Sequence, residues 1–201
     1  MLAGTVAGQS ISLLLSPVLT RLYNPSQFGY LSVYSAVLLI FGVIAILGLE
    51  LAIPIAATEA ECASLLALCG LALVGTTAIT ALAAWLISAH ALAAMSLGAL
   101  TSYRWLLPLG FACLGGYYVM VAVATWAGAF KDIARTRISQ GLTGPVSQII
   151  FGLFGGGTPG LVVGFVIGQS SGTLLLFMRV VLRQRALLAA ITWDGIVAAA
   201  R

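Results

Sequence analysis

The chain has 201 residues, of which 61% are hydrophobic and only 7% charged, with a formal net charge of +4 and a mean hydropathy of +1.13. An ordinary soluble domain carries about 25% charged residues, so a water-soluble globular fold is excluded and the composition describes an all-α, polytopic membrane protein. In that class a basic balance reports topology, because Lys and Arg collect on cytoplasmic loops, and it gives no reason to invoke nucleic acid.

A helix crossing ~30 Å of hydrocarbon needs about 20 apolar residues. Six stretches meet that need, near 1–22, 28–56, 63–88, 105–130, 138–154 and 159–182. The opening MLAGTVAGQS has neither the basic n-region nor the small-residue cleavage site of a secretory signal, and reads as part of the first span. Gln9 and Pro17 interrupt that span, a pattern tolerated where a helix faces protein or a water-filled cavity. Arg21 closes it, and Asn24-Pro25-Ser26 is a turn signal. The second span carries a lone acid, Glu50, and Thr58-Glu59-Ala60-Glu61 separates it from the third. Residues 89–104, with His90, Gly98 and Arg104, form a weakly polar connection, and Lys131 to Arg137 is the most charged loop. Gly155-Gly156-Gly157-Thr158-Pro159 closes the last hairpin, with Pro159 suited to the first turn of span six.

With the N-terminus inside, Lys131, Arg135, Arg137, Arg179, Arg183, Arg185 and Arg201 fall on the inner side, against Arg21 and Arg104 outside. This bias predicts both termini in the cytoplasm. Residues 1–182 form one six-span unit, and 183–201, interrupted by Asp194 and Gly195, read as a cytoplasmic connector helix.

The motifs point away from catalysis. Cys62, Cys69 and Cys113 lie in or beside apolar segments with no CxxC and no nearby His, so they read as small buried residues and no metal site is expected. Gly155, Gly157 and Gly160 spell GxGxxG, but both flanks are membrane spans and no acid follows about 20 residues on, as a dinucleotide site requires. His90, the single histidine, has no HExxH or nucleophile elbow around it. Asp132 and Asp194 sit among basic residues, where ordinary surface pairing is the default. The reading is a non-enzyme without a cofactor.

The intramembrane polar residues say more, because a charge near the bilayer centre costs roughly 2.5–3.5 kcal/mol even on the lenient insertion scale. Glu50 lies far down span two from Phe28, about 33 Å along a helix, so it does not readily pair with Arg21. Arg21 either snorkels to the interface or lines a cavity that attracts anions. Glu50 serves ion coupling or a structural salt bridge. In span six Gly160, Gly164, Gly168 and Gly172 recur every fourth residue, which gives one small face for close helix packing, with Gln169 beside it able to hydrogen-bond across the contact.

The order GTVAGQSISLLLSPVLTRLYNPSQFGYLSVY, LELAIPIA, RWLLPLGF, KDIARTRISQGL and GLFGGGTPGLVVGFVIGQSSG resembles polysaccharide or O-antigen flippases of the multidrug/oligosaccharidyl-lipid/polysaccharide exporter superfamily. The resemblance covers nearly the whole chain and corresponds to the first of two six-helix lobes, a MATE-like half-transporter. It implies translocation of undecaprenyl-diphosphate-linked oligosaccharide across a bacterial inner membrane, with membrane lipid and a second lobe, or a homodimer partner in its place, as partners. The tail ITWDGIVAAAR is similar to the connector between lobes, so a truncated product is expected. The family's acid in the ELAI segment often follows a basic and an aromatic residue, where this chain has Gly48 and Leu49. A diphosphate drawn into a low-dielectric cavity needs cationic or hydrogen-bonding partners. Arg21 is the first candidate, with Gln9, Asn24 and Arg104 behind it, and loss of Arg21 is expected to reduce surface glycan. The alternatives are a multidrug cation antiporter, for which an acid deep in span one is expected and missing, and a six-span scaffold or inactive remnant.

Overall fold

The computed structural model describes residues 2–46, 48–86, 94, 101 and 104–181. Among them are six long helices and no strand: α1 (Leu2–Leu22), α2 (Pro25–Ala45), α3 (Glu59–Leu86), α4 (Leu106–Trp126), α5 (Phe130–Leu153) and α6 (Gly157–Leu176). His90, Gly98, the connector 183–201 and its charges lie outside the described residues. Three of the described helices are long and apolar enough to cross a membrane, namely α3, α4 and the run Gly157–Val180, with mean hydropathies of 2.1, 1.8 and 1.8. Their outward side chains, such as Leu71, Val74, Ile79, Leu82 and Leu174, are exposed apolar groups suited to lipid.

Where the helices end differs from expectation in two places. The second span was expected to run to residue 56, but α2 stops at Ala45. Gly48 then adopts φ +73°, a left-handed conformation open to glycine at no steric cost, and two 3-10 turns follow, Leu49–Leu51 and Ile53–Ile55. Apolarity alone hid this break, since Ile46 and Ile53 are fully buried within it. The indole Nε1 of Trp126 donates to the Ala56 carbonyl at 3.0 Å and ties the break to the end of α4. Thr58 caps α3 by accepting the Glu61 N–H at 3.2 Å, while the Glu61 carboxylate accepts from the Ala57 N–H at 2.9 Å.

The second correction concerns Lys131 to Arg137, expected as a loop. Gly128, at φ +66°, breaks the chain after α4, and α5 starts at Phe130, so this basic stretch is helical. Its charges lowered the hydropathy without opposing helix formation, and Asp132 in the first turn complements the positive end of the helix.

The contacts fix the directions. Gly4 meets Ala134 and Gly152 meets Leu22, so α1 and α5 run parallel. Gly144 meets Gly168 and Gly160 meets Phe151, which makes α5 and α6 an antiparallel hairpin. Tyr34 and Leu38 meet Gly110 while Gly42 meets Leu114, so α2 and α4 are parallel, and Trp126 against Ala56 sets α3 antiparallel to α4. The core lies chiefly between α2, α3, α4 and α6, built on Tyr34, Leu38, Phe111, Leu114, Tyr117 and Val123. The hydroxyl of Tyr34, fully buried, donates to the Leu106 carbonyl at 2.6 Å, and its ring meets Phe165 edge-on at 6.2 Å.

Candidate functional site

The site grows from the seam between α1 and α5. Gly8 lies against the Arg137 carbonyl and Gly141 lies against Gly8, and a Cβ at either would overlap backbone. Without side chains there, the two helices approach backbone to backbone, as small residues permit in a membrane. Pro145 has no N–H to give the carbonyl four residues earlier, that of Gly141. Ser12 Oγ supplies the replacement, donating to Gly141 O at 3.2 Å.

Across the hairpin the glycines of α6 do the same for α5. Gly164 sits on Gln148, Gly168 on Gly144, and Gly172 on Gln140 and Tyr117, while Gly160 meets Phe151. Gln140 Nε2 donates to Gln169 Oε1 at 3.2 Å, Thr143 and Ser171 share a hydroxyl bond of 2.8 Å, and Gln148 Nε2 donates to the Leu161 carbonyl at 3.0 Å. Tyr23, buried in the turn after α1, donates to the Gln148 carbonyl at 2.7 Å, and burial pushes its phenol above the ordinary tyrosine value.

These helices line an open cavity of about 390 Å³. α1 lines it with Thr5, Gln9, Ser12 and Ser16, α5 with Arg137, Gln140 and Gln148, and α6 with Gln169, while Leu19, Leu31 and Phe165 supply apolar wall. The lining holds four carboxamides and one guanidinium and no carboxylate. It presents hydrogen-bond donors and acceptors that suit the binding of a polar group. A second groove, about 410 Å³, lies on the other side of α6 between α3 and α4. It is apolar, lined by Leu66, Leu73, Met120, Leu174 and Phe177 over a floor of Gly70 and Gly116.

Of the residues singled out from sequence, Gln9 lines the polar cavity. Arg21 is exposed on the last turn of α1 and is not part of the lining. Asn24 is exposed in the α1–α2 turn, where its N–H is capped by Gln27 Oε1 at 2.9 Å. Arg104 ties the start of α4 to α3, donating to Thr101 O at 3.1 Å and Trp85 O at 3.4 Å. The structure therefore does not bring these four together. Glu50 is half-buried in the first 3-10 turn, at the opposite end of α2 from Arg21, and its Oε2 has no hydrogen-bond partner among the described residues.

Arg137, Gln140, Gln148 and the serines of α1 were not singled out. Their signal was spacing: 5, 9, 12 and 16 on α1, and 137, 140, 141, 144 and 148 on α5, each a polar or small residue every three or four positions. Compared with known proteins, the chain matches no family model, no curated protein and no solved structure.

Proposed function

We propose that all six helices span the membrane as one transporter lobe of the MATE-like kind, and that the protein translocates a lipid-linked oligosaccharide carrying an anionic headgroup. The observation that carries this reading is the open polar cavity between α1, α5 and α6, a set of carboxamides, hydroxyls and one guanidinium gathered on an otherwise apolar helical protein. Intramembrane polar residues are costly and mark substrate pathways. Carboxamides and hydroxyls suit the hydroxyls of a sugar, and a guanidinium suits a phosphate. A cation exporter needs the opposite charge, and no carboxylate lines this cavity. The resemblance to polysaccharide flippases gives the same cargo, in a bacterial inner membrane with the Lys131 end cytoplasmic. A second lobe, or a second copy of the chain, would complete the path.

The test is reconstitution of the full chain into vesicles loaded in one leaflet with a polyprenyl-diphosphate-linked oligosaccharide, with lectin accessibility as the readout. Exposure faster than in protein-free vesicles, and slowed by Gln140→Leu, is the expected result. Equal rates with and without protein would falsify transport by this chain alone.

A further inference from the structure

The arginines at the shared end of α5 and α6 differ in what faces them. Arg135 and Arg179 both reach Oδ1 of Asp132, at 3.3 and 3.1 Å. Arg137 turns to the other side. Its guanidinium carbon lies 5.1 Å from the centre of the Tyr117 ring, and no carboxylate pairs with it among the described residues. A ring face orients a guanidinium without neutralising it and leaves the N–H edge for an acceptor. The ring is itself fixed, since Tyr117 is buried and its hydroxyl shares a bond of 3.3 Å with Thr136.

Two further observations turn this oriented cation into a site. Arg137 lines the polar cavity, and the contact of Gly8 with its carbonyl brings α1 close enough that Gln9, one residue on, lines the same space. The Gln9 carboxamide is exposed and has no intramolecular hydrogen bond among the described residues. Arg137 also stands seven residues beyond Phe130, the start of α5, about 10 Å along the helix axis. On the six-span reading proposed above, with the start of α5 at the edge of the hydrocarbon, the guanidinium is within reach of the headgroup layer, which adds roughly 5–8 Å to each side.

We propose that Arg137 and Gln9 form an anion subsite at the mouth of the polar cavity, taking the phosphate or diphosphate of a membrane-embedded lipid. Arg137 provides two parallel N–H donors to neighbouring phosphate oxygens, and Gln9 donates from the facing helix. The inference rests on the anionic lipid-linked cargo argued above and adds the residues that hold its charge.

Native mass spectrometry of the full chain in detergent, with farnesyl diphosphate, farnesol and inorganic diphosphate as probes, tests it. The wild type is expected to retain farnesyl diphosphate and not farnesol. Arg137→Met keeps an apolar stem over Tyr117 and is expected to weaken retention roughly tenfold to a hundredfold, the scale of a lost charge-assisted hydrogen bond. Arg137→Lys falls between, because it keeps the charge and loses the fork, and Arg135→Met, which removes an equal charge two residues away but no donor from the cavity, lowers retention only slightly at low salt and leaves it as in the wild type at high salt. Gln9→Leu, at an exposed position, lowers retention severalfold and serves as the second probe should Arg137→Met unfold. Unchanged retention in Gln9→Leu and in a folded Arg137→Met overturns the subsite. Retention of inorganic diphosphate as firm as that of farnesyl diphosphate overturns the lipid assignment. Arg137-dependent retention without movement of oligosaccharide in vesicles keeps the subsite and overturns transport. Transport that proceeds unchanged in Arg137→Met overturns the subsite and keeps transport.

Discussion

The two sides of α6 are held by different means. Towards α5 the contact is backbone on backbone, through Gly144, Gly164 and Gly168, α5 meets α1 in the same way through Gly8 and Gly141, and polar groups are bonded across both seams. Towards α4, and in the packing of α4 with α2 and α3, bulky side chains interlock, with Tyr34, Phe111, Leu114, Tyr117 and Leu176 almost wholly buried, beside two bonds from Ser170 and Thr173 to Cys113. In a membrane the hydrophobic effect does not drive helices together, so close van der Waals contact and interhelical hydrogen bonds must do so. The glycine side satisfies that need while leaving a polar cavity, and the bulky side satisfies it while leaving an apolar groove.

The difference between the two sides is largest at the glycines. Gly8→Val places a side chain on the Arg137 carbonyl, and since backbone cannot yield as a flexible side chain does, a loss of about 1–3 kcal/mol or more is expected. Gly75→Val, in α3 where nothing lies within 4 Å of an added Cβ, is expected to leave stability nearly unchanged. Thermal unfolding of both variants in detergent decides it, and equal losses would mean that the seam is not special.

A double-mutant cycle isolates the bond from Ser12 to the Gly141 carbonyl. Ser12→Ala removes the donor that reaches the carbonyl freed by Pro145, at an expected cost of about 0.5–1.5 kcal/mol. In a Pro145→Ala background the helix regains its own N–H for that carbonyl, so the same serine change should cost little. Additive losses would show that Ser12 acts elsewhere. On the bulky side, Tyr34→Phe removes the hydroxyl bonded to Leu106 O at 2.6 Å and is expected to cost about 1 kcal/mol, with no effect on retention of a phosphorylated lipid.

Apolar length and turn chemistry made the helical class and the hairpin at Gly155 to Pro159 legible. α6 begins at Gly157, which puts Pro159 in its first turn. The cavity was less legible for a definite reason. Taking Lys131 to Arg137 as a loop cut the polar face of α5 after its first member, so Arg137 counted only towards topology. Arg21 drew attention because it stands alone at the end of an apolar run, yet a residue in the last turn of α1 lies beyond the lining, which ends near Leu19. Periodicity places residues on a helix face, but which face meets which neighbour depends on long-range contacts such as Gly8 with Arg137, and no local pattern encodes those.

The smallest expected effect concerns the charges beside the cavity. Asp132 holds Arg135 and Arg179 in pairs whose arginine side chains are 62% and 38% exposed, and pairs this open to solvent contribute about 0–1 kcal/mol. Asp132→Asn should therefore lower the melting temperature slightly at low salt and hardly at all near 1 M, where the screening length falls to about 3 Å. The same change releases two positive charges close to Arg137, raising the local potential without adding a donor to the cavity. Retention of farnesyl diphosphate should then rise modestly at low salt and return to the wild-type level at high salt. A rise that persists in high salt would mean that Arg135 or Arg179 had itself entered the cavity, and the division between one anion-binding arginine and two structural ones would fail.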